Sequence, residues 1–293
     1  MFLSTLAFSL ANILVKQISH IPPMEVVFFR CFFASIFCFI GLYRAGADWK
    51  GSHRGLLLAR GLFGTTALYL FFTTLQKIPL ASAMTIQYLS PIFTSVIAIV
   101  VLGERVRPLQ WVFYATAFTG VLVIEQFDPR ISLFYLALGI ASAFCSGVAY
   151  NLVRRMREQE HPLTVVLHFQ LVGVIAGFVS LFFVFEMPEG LDWFWLFMIG
   201  VFSQLGQIFL TNALQREKAA GVAIINYTGL IYGIGFGFIF FGEQIVPMTL
   251  GGMARVVCGV LASVLYSRRR ERLVAEIEVT RALICLPFSP LRT

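Results

Sequence analysis

The chain has 293 residues, of which 58% are hydrophobic and only 13% charged, with 31 Phe and a mean hydropathy of +0.84. An ordinary soluble domain carries roughly 25% charged residues, and a soluble globule could not cover this much apolar surface, so composition excludes one. The net charge of +7 has to be explained by where the basic residues fall.

Mostly apolar segments of about 20 residues, the length needed to cross a hydrocarbon core roughly 30 Å thick, follow one another along the chain. They cover 2–21, 24–43, 55–76, 80–101, 109–124, 131–151, 163–185, 191–215, 219–241 and 248–266, ten predicted helical spans. Barrel strands would be shorter and would alternate in polarity. The first segment is clean only to Val15, so either Lys16 snorkels to the interface or the assigned start codon is late. No positive region precedes it, which argues for a first span over a cleaved signal peptide. The cysteines Cys31, Cys38, Cys145, Cys258 and Cys285 are unevenly spaced, with no CxxC or His partner nearby, so neither a disulfide framework nor a metal site is expected, and no cofactor motif is present.

Sixteen of the 22 basic residues fall on one face if the N-terminus is placed inside: Arg44, Lys50, Arg54, Arg105, Arg107, Arg154, Arg155, Arg157, Arg216, Lys218 and six arginines after Tyr266. The opposite face holds Lys16, Lys77 and Arg130, while Glu186, Glu189 and Asp192 gather in one outer loop. By the positive-inside rule both termini are cytoplasmic, in a multi-pass protein of the cell membrane, the bacterial inner membrane being expected. The charge therefore reports topology and calls for no nucleic acid. Arg268, Arg269, Arg270 and Arg272 read as a stop-transfer anchor, with contact to anionic lipid as the alternative.

The chain also repeats itself. Leu75-Gln76-Lys77 is echoed by Leu214-Gln215-Arg216, Tyr88 by Tyr227, Gly103-Glu104 by Gly242-Glu243, Pro108 by Pro247 and Gly120-Val121 by Gly259-Val260, each 139 residues on. The same offset carries Asn12 to Asn151, Pro23 to Pro162 and Gly61 to Gly200. The predicted units are a five-span repeat over 1–129, a second over 130–266 and a basic cytoplasmic tail over 267–293. Five is odd, so the second repeat enters the membrane from the other side. Inverted repeats characterise alternating-access carriers, with substrate held near the midplane between the halves.

On these residues the chain resembles the drug/metabolite transporter superfamily, specifically its ten-helix EamA-type members. The resemblance covers residues 1 to 266. It rests on Ser90-Pro91 through Gly103-Glu104-Arg105, the echo at Gly242-Glu243, and Asn12 with Lys16. It implies a fold of ten helices in which spans one, three, four, six, eight and nine surround a central cavity. The run Glu25-Val26-Val27-Phe28-Phe29-Arg30 and the pair Arg60-Gly61 look more like the branch that includes S-adenosylmethionine uptake carriers than the aromatic amino-acid exporters.

Polar side chains within spans are costly and tend to face the protein interior or a wet cavity. Gln87-Tyr88 in the fourth span and Asn226-Tyr227 at the matching depth of the ninth set one amide beside one phenol in each half. That pair suits a small zwitterionic or heterocyclic solute, and interhelical glue is its competing use. Gln204, Gln207 and Thr211 share one face of the eighth span, and Thr65, Tyr69 and Thr73 one face of the third. Asn12 and Asn151 are the symmetric amides of spans one and six. The intramembrane arginines Arg30, Arg60 and Arg255 have no carboxylate near a span centre to pair with, which leaves helix-end carbonyls, water or an anionic group on the substrate. His168 reads as a packing histidine before a proton carrier. Glu104 and Glu243 read as hairpin residues. Gly229, Gly233 and Gly237, like Gly173 and Gly177, are spaced for close helix approach, inside the bundle or in a homodimer.

The expectation is a secondary carrier of a small polar metabolite, amino-acid-like or nucleoside-like, exporting it across the membrane, with S-adenosylmethionine uptake as the rival substrate. No P-loop is present. A membrane enzyme or sensor is the rival class, but His20, His53, His161 and His168 are scattered without catalytic partners.

Overall fold

The structure is a computed structural model, and it describes residues 2–102, 108–128, 130–216, 228–244 and 246–284. Eleven helices account for nearly all of them, and no strand occurs among the described residues: α1 (Phe2–Gln17), α2 (Pro23–Ala45), α3 (Arg54–Lys77), α4 (Leu80–Gln87), α5 (Ser90–Leu102), α6 (Pro108–Phe127), α7 (Leu133–Arg155), α8 (Pro162–Leu181), α9 (Asp192–Arg216), α10 (Thr228–Phe241) and α11 (Pro247–Ile284). Seven segments are long and apolar enough to cross a membrane, α4 and the first part of α5 counting together as Leu80–Ala98, and Phe2–Gln17, Pro108–Ile124 and Thr228–Phe241 are shorter apolar helices. Their outward faces carry large apolar side chains such as Ile175, Phe178, Ile231 and Ile239, which lipid covers and water would not. The protein is a multi-pass helical membrane protein.

Local chemistry sets the ends of these helices. Pro23, Pro108, Pro162 and Pro247 occupy first positions, where a missing N–H costs nothing. Gly46 closes α2 in the left-handed region at φ 62°, its N–H bonded to the Leu42 and Tyr43 carbonyls. Ahead of α3, the Glu160 carboxylate accepts the Ser52 and His53 N–H groups at 2.7 and 2.6 Å.

Two elements differ from the sequence expectation. The fourth span is broken: α4 stops at Gln87, a tight turn carries Tyr88 and Leu89, and α5 restarts at Ser90. Pro91 explains the break, because it has no N–H for the Gln87 carbonyl and its ring crowds that carbonyl. At the other end, α11 does not stop near Tyr266 but runs on to Ile284. Residues 267–284 contain neither Gly nor Pro and are rich in Arg, Glu, Ala and Leu, so the backbone has reason to stay helical beyond the apolar stretch.

In the bundle, α2 packs on α8, α3 on α7, α1 on α9 and α6 on α11, with α5 against α7, α1 against α10 and α4 against α10. Small residues allow the closest approaches. A Cβ on Gly120 would lie 2.7 Å from the Gly252 carbonyl oxygen, and one on Gly259 2.7 Å from that of Phe113, so α6 and α11 meet backbone to backbone. Gly229 and Gly233 face Tyr88 and Met84, and Gly173 and Gly177 face Cys31 and Phe28. Both glycine series therefore serve contacts within the bundle.

Candidate substrate-binding site

Seven helices surround a cavity of about 160 Å³ in the middle of the bundle. At the 10–15 Å³ that one water needs, this is room for on the order of ten waters. From α1 come Thr5, Phe8, Ser9 and Asn12, from α2 Arg30, and from α3 Arg60, Gly64, Ala67, Leu68, Phe71 and Phe72. Met84, Gln87 and Tyr88 line it from α4 and the break, Ser146, Ala149 and Tyr150 from α7, Phe169 from α8, and Ser203, Gln207 and Leu210 from α9. Helical spacing delivers these faces: Thr5, Ser9 and Asn12 stand at i, i+4 and i+7, as do Ser203, Gln207 and Leu210.

Of the residues singled out from the sequence, Asn12, Arg30, Arg60, Gln87, Tyr88 and Gln207 come together in this cavity. Asn226 and Tyr227 lie outside the described residues. The other four are placed elsewhere. Asn151 is buried and spans from α7 to α5, its amide N–H donating to the Thr94 and Gly147 carbonyls at 2.9 and 3.0 Å. Gln204 turns to α8, where it accepts from the Gln170 amide at 3.0 Å. Tyr69 is 39% exposed, because the cavity face of α3 is the Arg60–Gly64–Phe71 stripe and not the Thr65–Tyr69–Thr73 stripe. Thr73 returns its hydroxyl to the Tyr69 carbonyl, and Thr65 faces Gly173 of α8. Arg255 is exposed on α11, so it belongs with neither buried arginine.

Gln87 serves two purposes. Its amide donates to Ser146 at 2.8 Å, and its carbonyl oxygen lies 3.0 Å from the Ser142 hydroxyl, whose single proton is shared between it and the Ala67 carbonyl at 2.7 Å. The serines sit one turn apart on α7, an i, i+4 signal that the sequence reading passed over. Tyr88 is only 5% exposed, and its hydroxyl lies against Gly229 of α10. His168 contacts the Thr164 carbonyl of its own helix at 3.0 Å and does not line the cavity.

Arg30 and Arg60 are the unusual members, 2% and 3% exposed. Their guanidinium carbons lie 5.6 and 4.5 Å from the centroid of one ring, Phe169, and Arg30 also lies 5.9 Å from that of Phe72. Nε and Nη1 of both arginines have no hydrogen-bond partner among the described residues. Cation–π contact holds each group by its face, and the N–H edges stay unspent.

One turn beyond Asn12, Lys16 forms a clasp. Its Nζ pairs with Glu243 Oε1 at 2.5 Å and donates to the Ile78 carbonyl at 2.6 Å, and Glu243 Oε2 accepts the Leu80 N–H at 2.9 Å. The segment after α10 is thereby tied to α1 and to the start of α4. Glu243 is a hairpin residue, as expected, but its carboxylate also reaches across the bundle. Among the described residues, no group of three His, Cys, Asp or Glu side chains is placed to hold a metal ion.

The helical bundle thus holds a cavity in which amides, hydroxyls and two cations stand among aromatic and aliphatic side chains, a lining with the chemistry to hold a small polar solute. Comparison with known proteins makes this specific. The model of the EamA-like transporter family matches residues 1–126 and 133–265, and the chain belongs to that family. It is 30% identical to the pseudopaline exporter CntI of Pseudomonas aeruginosa over 89% of this chain and 93% of that one. Identity to human solute carrier family 35 member G1 is also 30%, over 87% and 75%, and to a riboflavin transporter of Rhizobium johnstonii 28%, over 93% and 92%. A solved crystal structure shares the fold with a TM-score of 0.65 at 17% identity, covering 92% of this chain and 98% of that one. The protein is a transporter and not an enzyme.

Proposed function

We propose that this protein is a secondary transporter that exports a small polar metabolite, amino-acid-like or nucleoside-like, across the cytoplasmic membrane by alternating access. The observation that carries the reading is the central cavity, to which helices from both sequence repeats contribute. Export is favoured by the exporter among the relatives, and a heterocyclic solute by the riboflavin transporter.

Ten spans in two inverted sets of five supply the mechanism. In support, contacts recur at the same offset of 139 residues as the sequence echoes. Gln76 donates to the Ile21 carbonyl and Gln215 to that of Glu160. Gly61 abuts Val172 and Gly200 abuts Phe33, and Gly120 meets Gly252 as Gly259 meets Phe113. The glutamine contacts lie one within each repeat and are related by adding 139 to both members, whereas for the glycine contacts adding 139 to one member and subtracting it from the other regenerates the counterpart. Such exchange is what an approximate two-fold axis between the halves produces, and it lets one half rock against the other. The broken fourth span fits this reading, since irregular backbone at membrane depth is tolerated where it lines a cavity. With both termini cytoplasmic, the Lys16–Glu243 clasp lies at the outer end.

Purified protein in liposomes, offered labelled amino acids and nucleosides, tests the proposal. Saturable flux of at least one is expected, and no flux with any would overturn it. For S-adenosylmethionine uptake the cavity is unfavourable, because a sulfonium cation would enter beside two arginines with no carboxylate among the lining residues.

A further inference from the structure

We infer that Arg30 and Arg60 form a paired anion-recognition site, and that the transported solute is a small organic anion bearing two carboxylates or one phosphate. The inference rests on the proposed carrier function and specifies its substrate class.

A charged side chain in the membrane interior is expensive and is kept where it has a partner or a function. Both arginines are at least 97% buried, as their exposures of 2% and 3% show, and both line the cavity. Among the described residues neither is in an ion pair, and Nε and Nη1 of each remain without a hydrogen-bond acceptor. Lining residues include no Asp or Glu. The cavity therefore carries two positive charges that no described side chain neutralises, and an anionic solute would supply the missing charge.

The site is also built. The two guanidinium carbons flank one ring, Phe169, at 4.5 and 5.6 Å, which places them at most about 10 Å apart, the sum of those distances. Two cations held that close repel unless an anion lies between or beside them. Gly64, one turn above Arg60, leaves the space its guanidinium fills: a Cβ there would collide with Arg60 Nη1 and come within 2.9 Å of the Phe169 ring. Planar guanidinium groups take carboxylate or phosphate oxygens in forked pairs, a geometry that a lysine ammonium does not offer. Asn12 and Gln207 also line the cavity, Gln207 with its amide donating to Thr211 at 3.3 Å, and are placed to read the rest of the solute.

Two matched pairs test this: glutamine against glutamate with its second carboxylate, and uridine against uridine 5′-monophosphate. Uptake into proteoliposomes and thermal stabilisation of detergent-solubilised protein are measured with each, for wild type, Arg30→Gln, Arg60→Gln and Arg60→Lys. In at least one pair the wild-type protein is expected to prefer the more anionic member by tenfold or more. Either Gln variant is expected to reduce that preference below threefold, and Arg60→Lys, which keeps the charge but not the fork, to fall between. Equal or better handling of both neutral members overturns the anion inference and leaves the carrier reading intact. A preference that survives both Gln variants overturns the assignment to these arginines. If no probe is carried or bound by wild type, the carrier reading fails for these classes, and the inference with it.

Discussion

Glu243→Gln removes the charge of the Lys16 clasp while keeping an oxygen that can accept the Leu80 N–H. Lys16 and Glu243 side chains are 14% and 11% exposed, and losing one member of a buried pair costs about 3–5 kcal/mol because the other charge is left uncompensated. Lys16 keeps the Ile78 carbonyl at 2.6 Å, and its residual contact with water brings the expected loss to about 2 kcal/mol. At 1.4 kcal/mol per factor of ten, the balance should move about 30-fold toward states open at this end. The assay is labelling of Asn12→Cys, one turn below the clasp, in a cysteine-free background by an impermeant thiol reagent added outside intact cells. Glu243→Gln and Lys16→Met should both speed the reaction by about this factor. If both fold at wild-type levels and neither changes the rate, the clasp does not hold the outer end shut.

Three further outcomes follow from local geometry. Gly120→Leu and Gly259→Leu each push a side chain against backbone oxygen 2.7 Å from the Cβ position, so both should lower the detergent Tm by an overpacking cost of about 1–3 kcal/mol; Gly235→Ala, with nothing within 4 Å, should leave it unchanged. Gln87→Leu leaves the Ser146 hydroxyl without its partner and should cost about 1–2 kcal/mol of thermal stability, together with a raised KM for whichever solute is carried. Burial alone would raise the Asp128 carboxyl, but two hydrogen bonds from the Arg130 guanidinium at 2.8 Å outweigh it and hold the group below the ordinary carboxylate value. Its stabilising contribution is then complete above the unfolded value of about 4 and is lost as pH falls below that. The Tm gap between wild type and Asp128→Asn should accordingly narrow between pH 6 and pH 3.

Much of the architecture was legible because a bilayer leaves a chain few options. The long apolar runs of α2, α3, α7, α8 and α9 required only counting. Reading the fourth span as continuous followed from its hydropathy, which is blind to Pro91 and to the carbonyl four residues before it. The extension of α11 was missed for the opposite reason: a polar stretch looks like a tail whether or not its backbone is helical. The cavity was legible in part. Polar residues could be found, but the sequence alone does not orient a helix with polar groups on two faces, which is why the Thr65–Tyr69–Thr73 stripe of α3 reads as lining and Gln204 reads together with Gln207. Phe169 gave no signal, being one of 31 phenylalanines; its importance comes from the two guanidinium groups that meet over it.

The distinction between glue and site follows from how completely each polar group is paired. Gln76 and Gln215 donate their amides to the Ile21 and Glu160 carbonyls in the turns ahead of α2 and α8, and Asn151 to the Thr94 carbonyl of α5, and each amide N–H group thereby recovers much of its desolvation cost. Gln87 is intermediate, bonded to two serines yet open to the cavity. Arg30 and Arg60 recover little: ring faces hold them, but most of their hydrogen-bonding capacity is unused among the described residues. Two amides of the same type at equivalent repeat positions are placed differently, Asn12 lining the cavity and Asn151 tying α7 to α5, so residue identity and repeat position do not decide which residues line it. A bundle selected for stability alone would exchange both arginines for apolar residues of similar size, which often stabilises a buried site. Two cations without an ion pair among the described residues, in a cavity with no acidic lining side chain, are what the proposed anionic solute would partner.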